Sequence, residues 1–284
     1  METSQLKVFV NQPSKNSKKE ISLLQMFSDF LDARFLGKQM FLRDIKAMFR
    51  QSLLGIIWAI FPPFLSAGLW VFLNSTGAVN ITDSGVPYPI FVMCGTVLYS
   101  TFTHALNMPA DAVMAGKGLM AKLNFPREAL LINAFYKVLF DFTLKFMALV
   151  LIALILGFSF GWATLLFPLG ALVAILFGFS FGVFLIPFKM LYGDFKRLLS
   201  IATQVLMYAT PIVYPMPESG IGRLFNAYNP IYYMTEIPRS WFTNQNTPDL
   251  WPFCLIAGVS LLVLFFGWVL YRITMPIIVE RVGA

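Results

Sequence analysis

Long apolar runs separated by short polar connections make up most of the chain. Six of these runs are close to or longer than the roughly 20 residues that a helix needs to cross a bilayer. The predicted spans are residues 53–73, 88–106, 130–157, 162–188, 198–216 and 250–271. Only Phe158–Gly161 separates the third span from the fourth, so these two are expected to form a helical hairpin. The pattern predicts an all-α integral membrane protein with six transmembrane helices.

The chain before the first span is polar and then amphipathic. Residues 1–20 are polar and are expected to be flexible. Through residues 21–52, apolar side chains recur at helical spacing and charged side chains occupy the positions between them. Charges this dense cannot cross a bilayer, so we expect a helix that lies along the cytoplasmic interface.

A longer connection separates the fifth span from the sixth. Residues 217–249 combine aromatic side chains with four prolines, which are Pro217, Pro230, Pro238 and Pro248. The segment is too interrupted to span, and aromatic rings favour the headgroup level of a membrane. We therefore predict a short interfacial or re-entrant helical pair between spans five and six.

Composition excludes an ordinary soluble domain. Hydrophobic residues make up 58% of the chain and charged residues 12%, against roughly 25% charged residues in soluble domains. The mean hydropathy is +0.72. Cys94 and Cys254 both fall inside apolar runs without a metal-binding pattern, so neither a disulfide framework nor a metal site is indicated.

The net charge of +7 is explained by basic residues beside the spans rather than by nucleic-acid binding. Lys and Arg residues cluster in the N-terminal segment, in the connections between spans two and three and between spans four and five, and in the tail. The opposite side carries only Arg223 and Arg239. Because cytoplasmic loops are enriched in Lys and Arg, both termini are predicted to be cytoplasmic and residues 217–249 to face outward.

No nucleotide-binding loop is present in the sequence. Gly116-Lys117-Gly118 lacks both the first glycine and the hydroxyl residue of the GxxxxGK[ST] pattern. Paired carboxylates and a nucleophile elbow are also missing, and His104 is the only histidine. We expect no cofactor on this chain and no enzymatic reaction in it.

Several short motifs resemble one family of transporters. Leu42–Lys46 is followed by Arg50–Gly55, Trp58 and Pro62-Pro63 at the start of the first span. Later motifs are Gly85–Pro89, Asn124–Arg127, Thr210–Ile212 and Tyr214-Pro215. Together these stretches resemble the type-2 ABC exporter permeases for O-antigen, teichoic acid and capsular polysaccharides, over roughly residues 40–275.

The resemblance implies a homodimer of six-span subunits that encloses a channel in the plasma (inner) membrane of a bacterium. Two copies of a separate ATPase subunit would bind ATP and Mg²⁺ and drive the transport. The amphipathic helix of the family would match residues 23–38, and its outward gate helices would match residues 217–249. The implied function is export of a lipid-linked polysaccharide.

Two other functions remain open at this stage. One is an exporter of the same type for a small drug or lipid. The other is an integral-membrane glycosyltransferase or polymerase, which would require acidic or histidine clusters at an interface.

Two groups of basic residues are candidate functional sites. The resemblance places an ATPase-coupling helix between spans two and three, where basic and apolar residues alternate; the alternative is a plain interfacial loop. Its candidate residues are Lys117, Lys122 and Arg127. Arg43, Lys46 and Arg50 lie where a lipid diphosphate would meet the cytoplasmic interface, and their alternative role is to hold the helix at headgroup level.

Aromatic side chains and one lysine are candidates for the channel wall. Rings can stack on sugar faces, although contact with lipid or a neighbouring helix is commoner. The candidates are Phe91, Tyr99, Phe102, Phe177, Phe181 and Phe184. Lys145 shares one helical face with Lys137 and Asp141, and it would either contact the substrate or belong to a structural ion-pair ladder. Small residues at positions 170, 174, 178 and 182 predict close helix packing.

Overall fold

The computed structural model describes residues 23–50, 57–79, 85–120, 123 and 125–283, and these are helical or in short connections, without strands. The first helices in chain order are α1 (Leu23–Arg50), α2 (Ile57–Ser75), α3 (Tyr88–Ala115), α4 (Lys117–Met120) and α5 (Glu128–Ile155). A 3₁₀ turn at Trp162–Leu166 precedes α6 (Phe167–Phe184), α7 (Ile186–Leu191), α8 (Gly193–Ala209), α9 (Gly220–Tyr228), α10 (Pro230–Thr243) and α11 (Trp251–Gly283). The predicted flexible segment 1–20, the motif residues 51–55 and Lys122 lie outside the described residues.

The all-α prediction is confirmed, and among the described residues four helical segments are long and apolar enough to cross a membrane. They are Tyr88–Ala115, Glu128–Ile155, Trp162–Phe184 and Trp251–Ile278, at the predicted second, third, fourth and sixth spans. At the predicted first and fifth spans, α2 is described only from Ile57 and α8 has 17 residues. The count of six spans and the orientation of the termini stay predictions.

Helix α3 is the central helix of the fold. It packs against α2, α5, α6 and α10, and most of its side chains are buried. Glycines on α6 allow the closest of these contacts: a Cβ atom at Gly178 would lie 2.5 Å from the carbonyl oxygen of Phe102. At Gly182 the same atom would lie 2.7 Å from the carbonyl oxygen of Leu106. The close packing predicted from the small residues of the fourth span is confirmed.

The predicted hairpin of the third and fourth spans is only partly correct. Helix α5 ends in a Schellman arrangement, in which Gly157 has a φ of +70° and the amide of Phe158 donates to the carbonyl of Ala153. The chain therefore turns sharply between the two helices. However, α5 packs mainly on α1 and α3, while α6 packs on α3 and α11. The two helices are consecutive in the chain without being each other's main neighbours.

The amphipathic helix α1 lies against α5. A Cβ atom at Gly37 would come within 2.7 Å of the side chain of Ile132, so the absence of a side chain at Gly37 lets the two backbones approach. Met40 and Ala33 are buried on the same side, whereas Arg34 and Lys38 are exposed. The helix thus packs an apolar side on α5, while Arg34 and Lys38 keep contact with the surroundings of the protein.

The connection 217–249 contains the predicted short helical pair, α9 and α10. Asn229 caps the start of helix α10, where its side-chain oxygen accepts from the amide of Ile231, and Asn244, with a φ of +59°, follows the last residue of the helix. It is inserted among α3, α6 and the 3₁₀ turn, where Phe242 is fully buried against Phe167 at 5.1 Å between ring centroids. Helix α9 stays largely exposed.

Candidate functional site

An apolar cavity of about 780 Å³, which we call the aromatic cavity, lies among α3, α6, α8, α9 and the start of α10. Three of the predicted channel residues line it: Phe102, Phe177 and Phe181. The ring centroids of Phe102 and Phe177 are 5.8 Å apart, and those of Phe177 and Phe181 are 4.8 Å apart. Among the described residues, only Tyr228 and Asn229 add polar side chains to the wall. The cavity therefore offers ring surfaces and few fixed hydrogen bonds.

The other predicted aromatic residues lie outside this cavity. Phe91 is buried beneath the guanidinium group of Arg239, 3.7 Å from its centre. The hydroxyl of Tyr99 donates to the carbonyl of Thr203, which joins α3 to α8. Phe184 packs beside Phe188 with 6.3 Å between centroids. In this conformation, these rings connect helices rather than line the aromatic cavity.

Helix α8 forms one wall of the cavity and is sparsely packed. In the described part of the chain, no side chain of α8 is buried. Leu199 and Leu206 line the cavity, while Ile201 and Val205 are 63% and 59% exposed. The apolar side chains of α8 are therefore incompletely covered by the described residues.

The segment that follows α8 is bound by a buried arginine. Arg239 on α10 is fully buried and donates to the carbonyls of Pro211, at 3.1 Å, and Ile212, at 2.9 Å. It also pairs with Glu236 one turn earlier. Its guanidinium lies over the ring of Phe91, so a single side chain connects α10, α3 and the chain after α8. In the sequence, Arg239 contributes only to the topology prediction; its spacing of three residues from Glu236 is compatible with an ion pair on one helix face but does not indicate that the pair is buried.

Other contacts hold the same segment. The Tyr88 hydroxyl donates to the carbonyl of Val213 at 2.9 Å, and the side-chain amide of Asn229 donates to the Thr210 hydroxyl at 2.8 Å. A Cβ atom at Gly95 would lie 2.2 Å from the carbonyl oxygen of Ile212. Residues 210–213 are therefore fitted closely against α3 and α10, and we call them the post-α8 segment.

At the opposite end of α3, Asp44 attaches α1 to α5. Its carboxylate lies 2.6 Å from the Lys137 ammonium and accepts from Arg43 at 2.7 Å and from Asn133 at 3.1 Å. Burial raises the pKa of Asp44, but these hydrogen bonds outweigh burial and hold the pKa below its ordinary value. Arg43 is thus already paired. Lys46 and Arg50 are exposed and make no ion pair within the described residues.

Lys145 belongs to a buried ionic cluster between α3 and α5. Its ammonium lies 2.6 Å from the Asp141 carboxylate, and Nδ1 of His104 lies 2.8 Å from the same carboxylate. The Lys145 side chain is only 6% exposed. This arrangement matches the structural alternative for Lys145, although Lys137 pairs with Asp44 instead of completing a ladder along α5.

A third ionic group connects the ends of α1, α5 and α11. Arg272 pairs with Asp29 and lies 3.7 Å from Glu128. Next to it, the buried Tyr271 hydroxyl donates to the carbonyl of Arg127 at 2.8 Å. Arg127, a candidate coupling residue, therefore contributes its backbone to the packing of α11.

The proposed coupling region has a short exposed helix at its centre. Lys117 starts the four-residue helix α4 and is partly exposed, and no side chain of α4 is buried within the described structure.

Lys189 on α7 donates to the Leu106 carbonyl at 2.9 Å and to the Asn107 side chain at 3.0 Å. Burial lowers the pKa of Lys189 to about 8, with Asp111 raising it and Lys196 lowering it further. Lys196 and Asp111 form an exposed pair at 3.3 Å.

The long apolar helices of the described structure are those of a membrane-spanning protein, and similarity to known families specifies its class. The profile of the ABC-2 type transporter family matches residues 36–243. The chain belongs to this family and is a multi-pass membrane protein, which confirms the family prediction.

Its relatives include named exporters. The chain is 24% identical over 231 residues to the O-antigen export system permease protein RfbA of Myxococcus xanthus, covering 78% of this chain and 86% of the relative. It is 24% identical over 251 residues to the polysialic acid transport protein KpsM of Escherichia coli, covering 82% and 91%. The RfbA permease of Klebsiella pneumoniae is 23% identical over 211 residues, covering 71% and 78%.

Proposed function

We propose that this chain is the membrane-spanning permease subunit of an ATP-driven exporter that moves a lipid-linked polysaccharide across the plasma membrane. The observation that carries the proposal is the similarity of most of the chain to permeases named for O-antigen export and polysialic acid transport. The aromatic cavity supports it, because the neighbouring rings of Phe102, Phe177 and Phe181 suit the faces of sugar rings and leave a polysaccharide chain free to slide.

The working unit is a homodimer with two separate ATPase subunits. Exposed apolar side chains on α8 support a second permease copy on that side, since Ile201 and Val205 are 63% and 59% exposed in a single copy. In this assembly each copy crosses the membrane six times, with both termini in the cytoplasm and α9 and α10 on the outer side. ATP and Mg²⁺ are bound by the partner subunits.

The region around α4 transmits the ATPase cycle in this proposal. In this proposal the partly exposed Lys117 supplies positive charge for docking, together with Lys122 of the same connection, while Gly116 packs closely on Leu130, which its Cβ would approach to 2.7 Å. Reversing the charge at Lys117 and Lys122 is expected to reduce ATPase co-purification and coupled export while membrane insertion stays normal. Wild-type association and export in this variant would show that docking occurs elsewhere.

A second candidate is an ABC exporter of a small lipid or apolar drug. The observation that favours it is the scarcity of polar side chains around the cavity, where Tyr228 and Asn229 are the exceptions among the described residues. A lipid tail matches such a lining better than a free sugar does.

Reconstitution of the chain with the ATPase from a neighbouring gene separates the candidates. The expected result is ATP-dependent movement of a lipid-linked polysaccharide into the lumen of inside-out proteoliposomes, with no hydrolysis by the permease alone. Small lipids or drugs should not be moved under the same conditions. ATP-dependent movement of these compounds without the polysaccharide would favour the second candidate, and hydrolysis by the isolated chain would contradict its role as a transport subunit.

A further inference from the structure

A second cavity, of about 480 Å³, lies among α1, α5, α6 and α11. Its walls include Ile132 and Phe135 of α5, Phe179 of α6, and Leu264 and Trp268 of α11. Phe30 of α1 closes one side, with its ring 5.8 Å from that of Trp268. This cavity, which we call the α1 crevice, shares no described lining residue with the aromatic cavity.

Arg34 is the cation in the lining of the α1 crevice. It is exposed, and within the described residues it makes no ion pair. Arg272, one turn after Trp268, is already paired with Asp29 and close to Glu128. Asp32 is two residues from Arg34, about 200° around a helix, so it points away from Arg34. The crevice therefore combines an apolar interior with one uncompensated guanidinium at its edge.

We propose that the α1 crevice binds an anionic phospholipid of the bilayer, with one acyl chain against its apolar walls and the phosphate at Arg34. An amphipathic helix such as α1 lies at the depth of lipid headgroups, and its exposed cations meet phosphate there. Arginine suits this role because its planar fork binds phosphate oxygens bidentately. The occupant is a lipid of the surrounding membrane, so the proposal does not depend on the transported molecule.

Two side chains of α1 are placed to hold a bound phospholipid. The helix carries Phe30 and Arg34 one turn apart, so both face the crevice. A bound chain would fill the space between α1 and the pair α6–α11, where the protein itself leaves a gap. Lipid retention should therefore depend on the headgroup charge, on Arg34 and on free space inside the crevice.

The test measures lipids retained by the purified full chain with native mass spectrometry. Delipidated protein is mixed with phosphatidylglycerol or phosphatidylcholine of identical acyl chains. We expect about five-fold more retained phosphatidylglycerol, the factor for one cation near an anionic headgroup. Arg34→Gln should abolish this preference, whereas Arg34→Lys should keep most of it. Lys38→Gln is the matched control, since Lys38 is an exposed cation one turn along α1 and does not line the crevice.

A second variant tests the apolar part of the site. Leu264→Trp places a larger side chain in the crevice and should reduce retention of both lipids, with Arg34 intact. Arg34 and Lys38 are exposed, so the charge series stays interpretable if Leu264→Trp fails to fold. Equal retention of the two lipids by the wild type, an unchanged preference in Arg34→Gln, or unchanged retention by folded Leu264→Trp would overturn the proposal. Displacement of phosphatidylglycerol by an equimolar polyprenyl phosphate would overturn the assignment to a bilayer phospholipid.

Discussion

Replacing Arg239 with methionine should release the post-α8 segment and destabilise the protein. The change removes the donors to the carbonyls of Pro211 and Ile212 and the cation above Phe91. It also leaves Glu236 without its partner. Hydrogen bonds to charged groups contribute about 1.5–3 kcal/mol each. Breaking a buried pair by removing one partner costs about 3–5 kcal/mol. Since these contributions are not additive, we expect a total loss of about 3–5 kcal/mol.

Thermal unfolding and hydrogen exchange in nanodiscs measure the two consequences separately. A loss of this size corresponds to a fall in Tm on the order of 10 °C. Exchange should rise in the peptide that covers residues 204–216, because the post-α8 segment loses its anchor. Glu236→Gln added to Arg239→Met should recover part of the stability by removing the unpaired carboxylate.

Arg223→Gln is the matched control, since Arg223 is an exposed arginine on α9 whose partner is the carbonyl of Glu218. It should leave Tm and exchange close to wild type. If Arg239→Met has the same Tm and the same exchange as Arg223→Gln, then Arg239 does not hold the post-α8 segment, and the assigned connection between α10 and α3 is wrong.

Three further predictions address packing, pH and the interfacial cations. Gly95→Ala should lower Tm because its Cβ meets the Ile212 carbonyl oxygen at 2.2 Å. Gly68→Ala, whose Cβ meets nothing within 4 Å, should leave the free energy of unfolding unchanged or raise it by up to about 1 kcal/mol, and equal effects of the two changes would contradict the close fit at Gly95. The folded-state pKa of Asp44 lies below its ordinary 3.8, so its contribution to stability is complete above that value and is lost as pH falls through the folded pKa. Limited proteolysis of α1 should therefore increase only below about pH 4, and Asp44→Asn should remove this dependence on pH. Neutralising the interfacial cations Arg43, Lys46 and Arg50 together should reduce export several-fold at normal membrane level and topology. Normal export would mean that these residues only anchor the helix.

The sequence predicts helices well because a long apolar run has few alternatives in a membrane. Backbone groups in hydrocarbon must be satisfied within the segment, and a helix does this for any apolar sequence. Small residues also predict contacts reliably, as Gly178 and Gly182 show against α3, since only a missing side chain allows such an approach. The helical pair in 217–249 is predicted from its prolines, which interrupt a continuous span, and from its aromatic residues, which favour the headgroup level.

Partners in tertiary contacts are much harder to predict. Lys137 and Asp141 share a face of α5, yet Lys137 binds Asp44 of α1 and Asp141 lies beside His104 of α3. Local spacing does not reveal which helix is adjacent. The aromatic candidates divide for the same reason: Phe102 and Phe177 line the cavity, whereas Phe91 is covered by Arg239. Arg239 counts as an outer charge in the sequence, and only the helices packed around it bury it.

The unequal attachment of the two ends of α8 gives this helix the geometry of a lever. Its C-terminal end continues into residues held by Arg239, Tyr88 and Asn229. Its N-terminal end is attached more weakly, by the ring of Phe195 at 5.8 Å from that of Phe188 and by the exposed Lys196–Asp111 pair; exposed ion pairs contribute about 0–1 kcal/mol. A helix of this length extends about 25 Å, so a tilt of about 10° around the C-terminal end displaces the N-terminal end by about 4 Å. The larger displacement occurs beside the C-terminal end of α3, where α4 begins. A small displacement of α4 would therefore tilt α8 and change the width of the aromatic cavity.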